Sequence, residues 1–163
     1  MGFADIISNL KSVHAAVNAT NILLLTVALC IGFIAKVNKS YKPDEKANPV
    51  DYDVYYWKFF DGHRKLMTLV IFGLVVPWWI NGFLLCQQMK NSDLKEKLGK
   101  AKLFQMLGVA LVLLLGSGVI TTWYVSEASD EKVIPILTMC FCWVSFFAHL
   151  AQVIMVQFRF SVR

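Results

Sequence analysis

Four long stretches of this chain carry no charged side chain, and no other feature constrains its folding as strongly. They run from Ile22 to Ala35, Leu66 to Met89, Leu103 to Ser126 and Val133 to Phe158. The chain is 57% apolar and only 17% charged over 163 residues, more apolar than the core of a soluble domain of this length requires. At about 1.5 Å of rise per helical residue, the last three stretches are each roughly 30 Å or longer, which matches the hydrocarbon thickness of a bilayer. The expected fold is all-α: an integral membrane four-helix bundle preceded by an N-terminal amphipathic interfacial helix. It forms one domain over residues 1–163, with spans near 15–37, 65–88, 102–125 and 133–158.

The first span crosses only if Ala15 to Asn21 extend its helix and Lys36 snorkels to the interface. Three spans with one re-entrant segment is the alternative. Ahead of it, the sequence MGFADIISNLKSVHAAV opens without a basic region and does not read as a signal peptide. Ile6 stands where the myristoylation pattern wants Ser or Thr. Phe3, Ile6, Ile7, Leu10, Val13 and Val17 recur at three- and four-residue intervals, as in a helix lying on the membrane surface. A frayed polar tail is the plainer reading.

An even number of spans places both termini on one face of the membrane, here side A, together with the loop Lys90 to Lys102. Side B carries Asn38 to Lys65 and the link Glu127 to Lys132. With Lys36 counted on side B, lysines and arginines divide equally between the two sides, so the positive-inside rule ties. The acids favour side B, and the lysines of the Lys90–Lys102 loop concentrate on side A. Side A is therefore expected to face the cytoplasm or a matrix-like compartment. Within the side B connection, Asn38 to Pro49 is polar. Tyr52, Tyr55, Tyr56, Trp57, Phe59 and Phe60 then form an aromatic shelf suited to headgroup depth, with a helix as its candidate conformation.

Cys30, Cys86, Cys140 and Cys142 all fall in or at the end of apolar stretches, so a disulfide-stapled loop is not expected. Cys140 and Cys142 point about 200° apart on a helix and do not chelate one metal together.

The stretch CFCWVSFFAHLAQ places a histidine and a glutamine inside a span. Thr138, Cys142, Ser145, His149 and Gln152 alternate intervals of four and three, and fall within an arc of about 80° on a helix. Lipid offers no hydrogen-bond partners, so this stripe is expected to face the other helices and to aim His149 inward. In the third span, Gln105, Gly108, Val112, Leu115, Val119 and Thr122 repeat the spacing. Pairing the two rows as antiparallel neighbours would bury Gln105 opposite the His149 and Gln152 end. In the second span, Gly73, Pro77 and Asn81 lie four apart as a face for a neighbouring helix, and Pro77 is expected to bend it.

Membrane cytochromes hold haem between histidines on facing helices. His63 and His149 are roughly 20 Å apart in depth. His14 with His149 is the remaining cofactor-binding pair, and it requires the surface helix to fold under the bundle; a hydrogen-bonded packing histidine is the plainer reading. His63-Arg64 resembles the dipeptide within the Ser-x-x-His-Arg-x-Thr-Gly stretch of the quinone-site anchor subunits of succinate dehydrogenase. Phe60, Leu66 and Met67 stand where that stretch has Ser, Thr and Gly, so the likeness ends at the dipeptide and implies no site. Ion-coupled carriers place charges inside the membrane, which leaves a neutral-solute or lipid carrier as the transport alternative.

The sequence has no HExxH, GxSxG or phosphate-cradling glycine loop. The lysine loop is mixed with Asp93 and Glu96, and suits anionic lipid better than nucleic acid. The expected role is that of a non-catalytic multi-pass subunit or scaffold, partnered by the bilayer and by other membrane proteins or a second copy.

Overall fold

The computed structural model describes residues 13–34, 36–41, 50–55, 64–90, 98–127 and 133–157, with backbone alone in the two strands. The elements are α1 (Val13–Ile34), β1 (Lys36–Tyr41), β2 (Val50–Tyr55), α2 (Arg64–Lys90), α3 (Lys100–Glu127) and α4 (Val133–Gln157). The expected surface helix falls largely on residues 1–12, and His63, the Tyr56–Phe60 part of the aromatic shelf and residues 91–97 of the lysine loop also lie outside the described residues.

Helix is the form these stretches take because hydrocarbon supplies no partners, so each backbone N–H and C=O must be satisfied within its own segment. All four helices are long and apolar enough to cross a membrane. The first does so in the manner its polar beginning made conditional: α1 starts at Val13 and has 22 residues, about 33 Å of rise. It stops at Ile34, and Lys36 and Val37 already belong to β1. Val37 is therefore not part of the first helix, and Lys36 opens the strand that follows it.

The connection that follows also departs from expectation. β1 and β2 pair antiparallel, from Lys36 opposite Tyr55 to Tyr41 opposite Val50. The segment containing Tyr52 and Tyr55 is thus a strand and not a helix. In VDYDVY, Val50, Tyr52 and Val54 alternate with Asp51 and Asp53, the period-two pattern of a strand.

The helices run up, down, up and down in a ring: α1 packs on α2 and α4, and α3 packs on the same two. Each presents one buried row spaced alternately three and four residues. On α1 the row is His14, Asn18, Asn21, Leu25, Ala28 and Gly32; on α4 it is Pro135, Thr138, Cys142, Ser145, His149, Gln152 and Val156. α2 contributes Val70, Leu74, Pro77, Asn81, Leu84 and Gln88. α3 contributes Leu103, Leu107, Ala110, Leu114, Ser117, Thr121 and Tyr124. This is the seam spacing of helices that pack at small crossing angles. α2 continues as one helix through Pro77, whose missing N–H removes the usual donor to the Gly73 carbonyl.

The interior is layered. Toward side B lies an apolar layer of Leu25, Ala28, Val70, Leu74, Leu114 and Cys142. Toward side A, Leu84, Leu103, Leu107 and Val156 fill the corner between α2, α3 and α4. Outside, large apolar side chains such as Ile34, Trp79, Val112 and Val133 are exposed over the whole length of the bundle, as a lipid-facing surface requires.

Candidate functional site

The side A half of the interior holds a polar core contributed by three helices. α1 supplies His14, Asn18 and Asn21, α2 supplies Asn81 and Gln88, and α4 supplies Ser145, His149 and Gln152. Each of these residues is no more than 2% exposed. At this depth α3 is apolar, with Leu103, Leu107 and Ala110 on its buried row.

Two linked clusters make up this core. Nearer side A, the Asn18 amide bridges both neighbouring helices: its Nδ2 donates to Gln88 Oε1 at 2.9 Å, and its Oδ1 accepts from Gln152 Nε2 at 2.9 Å. Seven residues separate His14 from Asn21, so the second cluster lies about 10 Å deeper than His14. There, His149 Nε2 is 3.0 Å from Asn81 Nδ2, and His149 Nδ1 is 2.8 Å from the Ser145 carbonyl and 3.3 Å from Asn21 Nδ2. The imidazole thus touches its neighbour α1 and reaches across to the diagonally placed α2.

These contacts determine the tautomer. The Asn81 amide cannot be turned over, because its Nδ2 also donates to the Pro77 carbonyl at 2.6 Å. Nδ2 is therefore the donor to His149 as well, and Nε2 must be the acceptor. The Ser145 carbonyl can only accept, so Nδ1 must carry the proton. Both constraints select the neutral Nδ1–H imidazole. Asn21 Nδ2 would then face a second donor, while Asn21 Oδ1 has no partner. Because amide oxygen and nitrogen are assigned by hydrogen bonding, we orient Asn21 with Oδ1 toward Nδ1–H.

His149 holds the hydrogen-bonded packing position, with partners on α1, α2 and its own helix. The lone pair of His149 Nε2 is engaged by Asn81, and His14 lies about 10 Å away along the helical rise. A metal at Nε2 would have to displace the Asn81 bond. Among the described residues no three His, Cys, Asp or Glu side chains gather as a metal site.

The α4 row sits inward as a set, and Gly73, Pro77 and Asn81 on α2 are buried. Gly73 is where α2 meets α3: a Cβ there would collide with Ser117 Oγ and lie 3.0 Å from the Leu113 carbonyl. The row assigned to α3 is corrected. Gln105, Val112, Leu115, Val119 and Thr122 are exposed, and a Cβ on Gly108 would meet nothing within 4 Å. Gln105 lies only five residues past Lys100, about 7.5 Å from the helix end, close enough to the interface to need no buried partner. Thr122 does accept a bond from Trp143 Nε1 at 3.0 Å. The close approach of α3 to α4 is at Gly118, where a Cβ would lie 3.2 Å from the Trp143 ring.

Sequence reading missed Asn18, Asn21 and Gln88. Their signal is present in hindsight for the asparagines: Asn18, Asn21, Leu25 and Ala28 keep the same three-and-four spacing, but Asn18 and Asn21 precede the apolar run that begins at Ile22 and read as its flank. A shallow groove of about 300 Å³, lined by Lys100, Ala101, Phe104 and Gln157, opens at the side A end. No protein-family model, characterised protein or solved structure matches the chain. The fold and core define a four-span helical membrane protein.

Proposed function

We propose that the chain is a non-catalytic subunit or scaffold of a larger membrane assembly, with side A toward the cytoplasm or a matrix-like compartment. One observation carries this reading: α3 has two sides with residues at three- and four-residue spacing, and only one is buried inside the bundle. The second, Gly108, Val112, Gly116 and Val119, spans an arc of about 80° on the outer surface. Cβ atoms on Gly108 and Gly116 would meet nothing within 4 Å. Small residues let helix backbones approach closely in lipid, where packing drives association. The occupant assigned to this face is a transmembrane helix of another protein. The polar core supports a structural role because much of its hydrogen bonding joins α1, α2 and α4 to one another. The Lys90–Lys102 loop supports the sidedness through its lysines.

Extraction in mild detergent and native electrophoresis tests the reading. The wild-type chain is expected to migrate with a partner protein. Gly116→Leu, which fills only outer space, is expected to release it with helix content unchanged. A wild-type chain that migrates as a lone monomer, in every gentle preparation, overturns the proposal. A complex containing only copies of this chain assigns the face to self-association. The carrier alternative draws on the same amide-rich core, and partner-independent solute flux in reconstituted vesicles would favour it.

A further inference from the structure

We infer that the side A half of the bundle interior is hydrated, with ordered water reaching inward to His149 and stopping at the apolar layer of Leu25, Leu74, Leu114 and Cys142. This inference rests on the buried core alone and is independent of the outer face of α3.

After the core residues have bonded one another, several buried atoms are left without a protein partner: His14 Nε2, Asn81 Oδ1, Gln88 Nε2, Ser145 Oγ, Gln152 Oε1 and one atom of the Asn21 amide. Apart from His14, one turn nearer side A than Asn18, they belong to the same two clusters, since Gln88 and Gln152 both hold Asn18 and Asn81 and Asn21 both face His149. Leaving all of these unmade would cost an amount comparable to the whole net stability of a domain. Proteins meet such a deficit with internal water, each molecule typically bonding about three polar groups.

The chemistry of the atoms identifies the occupant. Asn81 Oδ1 and Gln152 Oε1 accept, and the Ser145 hydroxyl both donates and accepts. Gln88 Nε2 donates, and so does Asn21 Nδ2 once its oxygen faces His149. No charged side chain is among them. A cation would meet the two amide N–H groups and an anion the two amide oxygens, whereas a small neutral molecule that donates and accepts suits both. The hydrated region has one end: beyond His149 toward side B the buried rows turn to Leu25, Leu74, Leu114 and Cys142, which are fully buried. Toward side A, the row continues through Asn18 to His14, one residue from the start of α1. The result is a blind wet passage and not a pore.

Water-edited solid-state NMR of the full chain in lipid bilayers tests this. Polarisation from water is expected to reach the side-chain amides of Asn21, Asn81, Gln88 and Gln152 several-fold faster than the backbone amides of Leu25, Leu74 and Leu114. Transfer to those side chains no faster than to the leucine layer overturns the inference. Vesicles containing the protein are expected to shrink osmotically at the rate of protein-free vesicles. A several-fold faster rate would mean that water crosses, and would overturn the blind end.

Discussion

His149 shows how one polar side chain can be accommodated where lipid gives it nothing. Its two ring nitrogens find an acceptor one turn back on its own helix, the Ser145 carbonyl, and a donor on a distant one, Asn81. The Pro77 carbonyl holds the Asn81 amide, so the direction of each hydrogen bond follows. Nitrogen-detected NMR is expected to find the neutral ring with the proton on Nδ1; a proton on Nε2 would refute the orientation assigned to Asn81. Asn81→Leu leaves Nε2 without its donor. A double-mutant cycle of Asn81→Leu with His149→Leu, by reversible unfolding in mixed micelles, should give a coupling of about 0.6 kcal/mol and at most about 1.7, the range for interhelical bonds in membranes. Additive effects, with no coupling, would show that the bond contributes nothing to the fold.

At the scale of helices, α3 is the instructive element. Its apolar residues satisfy a three-and-four spacing on two sides, so periodicity alone does not say which side is inner. Contacts from other helices decide it: Gly73 of α2 fits only against the side bearing Ser117, and Trp143 of α4 packs on Gly118. Serine and threonine serve the buried side well because their hydroxyls bond back to their own helix, as Ser117 does to Leu113 and Thr121 to Ser117. The glycines turn this into a comparison. Gly73→Ala should destabilise the bundle by about 1–3 kcal/mol, since the Leu113 carbonyl belongs to rigid backbone and α2 must shift. Gly108→Ala should be neutral or stabilising by up to about 1 kcal/mol, because it gains helix propensity in open space. Equal effects in thermal unfolding would contradict the placement of α3. A second side-chain link, Trp78 Nε1 to Thr26 Oγ1 at 2.9 Å, ties α1 to α2 below the polar core. Its spacing was invisible in sequence because Thr26 and Trp78 are 52 residues apart.

For the molecule as a whole, an antiparallel ring of four places Val13 and Gln157 at the same end, and the polar core lies in that half. Tags placed at the two termini are expected to be accessible from the same face of sealed vesicles; opposite accessibility would require an odd number of crossings. The thiols report the same architecture. Cys30, Cys86 and Cys140 are exposed on the outside of the bundle, whereas Cys142 is buried between helices. In detergent micelles a small maleimide should modify the first three while the fold persists, and Cys142 only on unfolding. Early labelling of Cys142 would mean that the interior is looser than described.

Local sequence alone determined that this chain makes four apolar helices, and that the Thr138–Gln152 stripe on α4 carries the polar residues together. Charge-free length and spacing along one helix are properties of a single segment, and the bilayer enforces them regardless of the neighbours. Only the tertiary structure decided that Asn18, Asn21, Asn81 and Gln88 join His149 and Gln152, that α3 turns its Ser117 side inward and its Gln105 side out, and that Tyr52 and Tyr55 lie in a strand. Each of those outcomes depends on a partner far away in the chain, and the energies that select it arise only when helices or strands meet.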